Sequence, residues 1–154
     1  MRGLTRHRAL AALLLVASAA APGQTLVNNG ALSFGAFTAG SGGTVSVSPG
    51  GARLKTGSVI LVNQAGTASA AQFTITGTPS AVFVITLPAD GTVFLTDGAS
   101  GSMALNSFVS SPSGTGVLGG GGTQQINVGA TLTVSNLQAT GSYSGSFNVT
   151  VNYQ

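Results

Sequence analysis

The chain has 154 residues, of which five are Lys or Arg and two are Asp, and it contains one His and no Cys. A soluble domain usually has about a quarter of its residues charged, so this surface is unusually poor in charge. The absence of Cys excludes a disulfide-stapled fold and a cysteine-based metal site or nucleophile.

The first 23 residues have the layout of a cleaved secretory signal peptide. Arg2, Arg6 and Arg8 give a basic start, and an apolar run and then a stretch of small residues follow. The apolar run is much shorter than the roughly 20 residues that cross a bilayer. We expect cleavage between Ala19 and Gln24, and therefore export of the remainder.

Residues 24–154 then form one domain without net side-chain charge. Its basic residues are Arg53 and Lys55 and its acidic residues are Asp90 and Asp97, so the balance is 2 − 2 = 0. Nucleic acids and anionic membranes bind clustered basic surfaces, so these partners are excluded, and no transmembrane segment is expected. Near-zero net charge favours association. Two interpretations stay open: a Ser-, Thr- and Asn-coated secreted domain, or a subunit of an assembly.

Beyond the leader, short β-rich runs recur between Gly, Pro, Asn and Asp residues, which is typical of a sandwich or barrel. The predicted strands, in chain order, are 31–37, 44–48, 52–55, 58–62, 72–77, 82–87, 92–96, 102–108, 124–128, 130–135 and 142–153. The continuous apolar run at 82–85 predicts a central strand. We predict an all-β, Ig-like antiparallel β-sandwich, with a closed barrel as the alternative.

Candidate catalytic and metal-binding residues are few. His7 lies in the leader and Glu is absent, so a serine nucleophile lacks its ordinary base and zinc lacks its favoured ligands. Lys55 is interpreted as a solvated strand residue rather than as the base of a Ser–Lys dyad. Asp90 and Asp97 could bind calcium, but each precedes a glycine after an apolar run, which favours a tight turn. The glycine-rich residues 114–119 predict a loop. We expect no enzyme activity, cofactor or metal.

The C-terminal run has the clearest strand pattern. Polar and apolar residues alternate from residue 146 onward, so Phe147, Val149, Val151 and Tyr153 share one face of a strand. The chain ends one residue later, at Gln154. We therefore expect a terminal strand that belongs to the core and that can also be offered to a partner.

An ordered set of short motifs resembles the bacterial exported family catalogued as domain of unknown function 4402. The motifs are LSFGAF at 32–37, GTVSVSPGG at 43–51, AAQFTITG at 70–77, ITLP at 85–88, VGATL at 128–132 and the final run at 141–153. That family resembles spore coat protein U and the archaic chaperone–usher pilins. The resemblance implies an incomplete, pilin-like sandwich on the surface of a Gram-negative bacterium.

The ending of the chain also resembles that of pilins, because Tyr153 is penultimate and Gly141 is fourteenth from the end. The resemblance implies that Gly141, Phe147, Val149, Val151 and Tyr153 form the assembly strand. It also implies a periplasmic chaperone and an usher as partners, with the chaperone adding a strand to this one.

The N-terminal segment departs from the pilin pattern because it is short. Leu26 and Leu32 are the candidates for a donor strand, and residues 28–30 predict a turn between them. Donation to a neighbouring subunit and pairing within the domain both stay open. We therefore expect a non-catalytic subunit of a fimbrium-like fibre or coat, exported through the periplasm to the cell surface. The alternative is a self-contained adhesive or glycan-binding module.

Overall fold

The computed structural model describes residues 7–11, 24–62 and 67–154, so most of the expected signal peptide lies outside the described residues. The described residues form fourteen strands and no helix. The strands are β1 (His7–Ala11), β2 (Thr25–Gly30), β3 (Ser33–Thr38), β4 (Gly43–Val47), β5 (Arg53–Gly57), β6 (Ile60–Val62), β7 (Ala71–Thr76), β8 (Val82–Thr86), β9 (Val93–Thr96), β10 (Ser102–Ser111), β11 (Thr115–Val117), β12 (Thr123–Val134), β13 (Ser142–Gly145) and β14 (Thr150–Tyr153).

Two curled sheets form a sandwich-like fold, which confirms the predicted fold class. The larger sheet has the order β2-β7-β12-β10-β9-β13-β1-β3-β6, and β4 and β5 join it alongside β12. The smaller sheet has the order β11-β8-β14. Neighbouring strands are antiparallel, except that β1 and β13 are parallel.

The core forms because alternate residues of a strand point to opposite faces of its sheet. In β7, Phe73 and Ile75 are buried while Gln72 and Thr76 are exposed. Full burial of one large apolar side chain contributes about 1.5–3 kcal/mol. In a chain without Cys, this burial and the backbone hydrogen bonds of the sheets hold the domain together.

The sequence predicts a break at Gly129, and this prediction is wrong. Gly129 lies inside the long strand β12, which pairs with β7 through its first half and with β4 through its second. A Cβ at this position would lie 2.0 Å from the carbonyl oxygen of Val47. The glycine therefore permits close approach of β4 instead of ending a strand.

The predicted single strand at 142–153 is two strands in different sheets. β13 belongs to the larger sheet and β14 to the smaller one. The chain changes sheet just after Gly145, where a Cβ would lie 2.5 Å from the Phe94 carbonyl oxygen. The alternation of polar and apolar residues continues through the change, because Phe147 and Val149 still point into the core.

Two local predictions are wrong and one is confirmed. Residues 28–30 continue β2 instead of forming a turn, and the glycine-rich loop contains the short strand β11. Gly116 in β11 lies opposite Phe83, whose ring occupies the space that a Cβ would need. The run at 82–85 does form a central strand, β8, although only Phe83 and Ile85 of that run are buried.

Candidate functional site: the strand position between β3 and β13

One strand of the larger sheet comes from the expected leader. β1 (His7–Ala11) lies between β3 and β13 and pairs with both. Because β1 is parallel to β13 and antiparallel to β3, these two flanking strands run in opposite directions. We call the sheet position bounded by β3 and β13 the β1 site.

The two flanking strands depend on β1 for much of their pairing. Four residue pairs join β1 to β13, whereas one pair, Ser144 with Thr96, joins β13 to β9. On the other side, four pairs join β1 to β3 and three join β3 to β6. The segment therefore connects β3 and β6 to the remainder of the larger sheet.

The interior position of β3 is evident from its burial. Phe34, Gly35, Ala36 and Phe37 are all buried, so both faces of the strand are covered. Gly35 has a φ of 69°, and the register between β1 and β3 shifts beside it, which marks a β-bulge. A glycine accommodates this left-handed backbone conformation without a steric penalty.

An arginine in a different strand forms hydrogen bonds with β3. Nη1 of Arg53, in β5, donates hydrogen bonds to the carbonyl oxygens of Phe34 at 3.0 Å and Ala36 at 3.3 Å. The backbones of Ser33 and Ser69 also exchange two hydrogen bonds, of 2.8 and 2.9 Å. β3 is thus fixed by contacts that do not involve β1.

A buried tyrosine anchors the start of β13. The Tyr143 hydroxyl donates to the Ala139 carbonyl oxygen at 2.7 Å and accepts a hydrogen bond from Nε2 of Gln138 at 3.0 Å. A tyrosine that bonds to the backbone a few residues upstream is a feature of Ig-like sandwiches. A Cβ at Gly101 would lie 2.2 Å from this hydroxyl, so that glycine makes room for it.

The C-terminal residues predicted to share one strand face do lie towards the core, but within this set only Val151 and Tyr153 belong to a strand, β14. Phe147, Val149 and Val151 are buried, and Tyr153 is partly buried. Burial raises the pKa of the Tyr153 phenol above its usual value. Among the described strands, β14 pairs with β8 alone and forms an edge of the smaller sheet. Gly141 lies elsewhere, directly before β13 and the β1 site.

The two candidate donor residues also lie within their own domain. Leu26 is in β2, which pairs with β7, and its partly buried side chain packs against the core. Leu32 is fully buried between β2 and β3. In this structure the N-terminal segment of the family domain is thus paired internally.

Both aspartates lie at turns, as the sequence predicts, but only Asp97 bonds within its own turn while Asp90 bonds to β10. Oδ1 of Asp97 accepts hydrogen bonds from the backbone N–H of Ala99 at 2.8 Å and of Gly101 at 3.0 Å. Oδ1 of Asp90 accepts one from the Ser107 N–H at 2.6 Å, in the irregular part of β10. Within the described ranges, no group of three or more His, Cys, Asp or Glu side chains could hold a metal ion.

No helix in the described part of the chain is long and apolar enough to cross a membrane.

Comparison with known proteins identifies a family. Residues 25–153 match the family described as domain of unknown function (DUF4402), whereas no curated protein and no solved structure matches the chain. The matched region begins at β2 and ends at β14, so it contains both flanking strands of the β1 site but not β1 itself. The chain belongs to the DUF4402 family.

Proposed function

We propose that this protein is a non-catalytic, exported structural subunit that builds a pilin-like fibre or coat by β-strand pairing. One observation carries the proposal: the family domain supplies β3 and β13, and the strand between them comes from residues outside that domain. If residues 1–23 are removed on export, the mature domain has a vacant strand position inside its larger sheet.

A vacant β1 site would expose backbone hydrogen-bonding groups along two strands at once. Unpaired strand edges are templates for pairing with another chain. Each backbone hydrogen bond that an added strand forms contributes about 0.5–1.5 kcal/mol. The four residue pairs now made on each side of β1 show how many pairs an added strand could form. Strand addition of this kind supplies affinity mainly through the main chain.

The balanced charge of the domain favours the same function. With Arg53, Lys55, Asp90 and Asp97 as its charged side chains, the region 24–154 has no net charge to oppose the contact of one copy with another. A periplasmic chaperone would add its strand at the β1 site before assembly, rather than at the C-terminal strand as the resemblance alone implies, and an usher would direct export. The resemblance to pilins implies both of these partners.

The test is to express the full chain in a Gram-negative host and to isolate the exported product. Its mass in solution and its appearance by electron microscopy distinguish the proposed functions. We expect leader removal and an ordered polymer. A stably folded monomer that binds glycans on an array would contradict the proposal and favour the self-contained adhesive module.

A variant pair tests whether the C-terminal strand is required. Val149→Asp places a carboxylate at a fully buried position, whereas Asn152→Asp places it on the exposed face of the neighbouring β14. Burial of an unpaired carboxylate is strongly unfavourable. We therefore expect Val149→Asp to abolish accumulation outside the cytoplasm and incorporation into polymer, while Asn152→Asp behaves as the parent. Normal assembly of Val149→Asp would show that the packed C-terminal segment is not required.

A further inference from the structure

We propose that residues 7–11 keep the β1 site closed in the precursor, so that removal of the leader opens the domain for assembly. This inference rests on the proposed function and adds a control step to it. The leader segment would act as an intramolecular inhibitor as well as part of an export signal.

The pairing of β1 supports this role because it occupies both flanking strands together. Arg8 to Ala11 lie opposite Ser142 to Gly145, and His7 to Leu10 lie opposite β3. With β1 in place, neither flanking strand presents its inner edge to a second chain. An incoming strand can therefore pair there only after β1 has left.

The covalent connection makes this closure effective before cleavage. Residues 12–24 join β1 to β2, so β1 competes with an external strand as an intramolecular ligand. A short covalent linker keeps the segment that it carries at an effective concentration on the order of millimolar. Once the connection is cut, a five-residue strand loses this advantage, and its parallel pairing with β13 is slightly weaker per residue than antiparallel pairing.

The first test uses the full-length chain with Ala9→Pro. Ala9 lies in the middle of β1 with a strand on each side, so its N–H is directed at a neighbour, and proline removes this donor. We expect the amides of β3 and β13 to exchange hydrogen on the order of tenfold faster, while β7 and the first half of β12 keep their protection. The matched control, Ala20→Pro, makes the same change outside β1.

If the amides of β3 and β13 exchange hydrogen at the same rate in Ala9→Pro, in Ala20→Pro and in the parent, the inference is overturned. If Ala9→Pro does not fold, the parent chain with a specific protease site inside residues 20–23 gives a second measurement. After folding and cleavage, we expect the leader fragment to separate from the domain on gel filtration, the amides of β3 and β13 to exchange hydrogen faster, and an excess of a peptide of residues 5–13 to slow this exchange again. Immediate release of the fragment without faster exchange in β3 and β13 would contradict the inference.

The two proposals fail in different ways. Release of the fragment with faster amide exchange in β3 and β13, but without polymer, would support closure of the β1 site and contradict the assembly function. Polymer formed equally well by a precursor that keeps β1 paired would contradict closure and leave the assembly function standing.

Discussion

At the scale of single residues, the sequence predicted which side chains are buried better than what they bond to. Tyr143 continues the odd-numbered series of Phe147, Val149 and Val151 towards the N-terminus, and it is fully buried. Its hydrogen bonds with Ala139 and Gln138 were not predictable, since both partners precede the strand in an irregular segment. Arg53 lies in the same strand as the exposed Lys55, yet it reaches the carbonyl oxygens of β3. The alternation of polar and apolar residues predicts on which face of the sheet a residue lies. It does not predict which atoms a long side chain contacts.

The tyrosine contact is tested by Tyr143→Phe. The change leaves the buried ring in place and removes the hydroxyl that donates to the Ala139 carbonyl oxygen. We expect the free energy of unfolding to fall by about 1–3 kcal/mol, as for other buried groups that lose a partner. Urea denaturation measures this free energy of unfolding. Tyr153→Phe, at a partly buried position, is the control and should change stability by less than about 0.5 kcal/mol. Equal effects of the two variants would argue against an anchoring role for Tyr143.

At the scale of strands, the sequence located most of the elements but not the sheets to which they belong. The alternation at 142–153 is real, but it runs through a change of sheet after Gly145. Gly129 similarly resembles a break although it lies within β12. Glycine serves both turns and close backbone contacts, and the neighbouring strand that decides between these uses is distant in sequence.

The hydrogen bonding of Arg53 to β3 can be tested with a matched pair of variants. Arg53→Met removes the donor to Phe34 and Ala36, whereas Lys55→Met removes the same charge from an exposed position two residues away on β5. We expect Arg53→Met to lower the free energy of unfolding by about 1–3 kcal/mol and to speed amide exchange in β3. Lys55→Met should stay within about 0.5 kcal/mol of the parent. A loss of the same size in both variants would show that charge, not the contact with β3, is responsible.

At the scale of the whole molecule, the β1 site could not be predicted from the sequence. Residues 1–23 have the composition of an export signal, and HRALA at 7–11 lacks the alternation that marks a half-buried strand. Only the sheet order shows that a position between β3 and β13 is filled from outside the family domain. The sequence thus indicated an incomplete sandwich through resemblance, whereas the topology shows where a strand from outside the domain fits.

The most direct measurement compares the folded full chain before and after proteolytic removal of residues 1–23 by sedimentation over a range of concentrations. If the β1 site accepts strands from other copies, the uncut chain sediments as a monomer throughout, and the cut chain gains mass with concentration and forms ordered polymers. A cut chain that stays monomeric, with the unfolding midpoint of the uncut chain, would contradict the account.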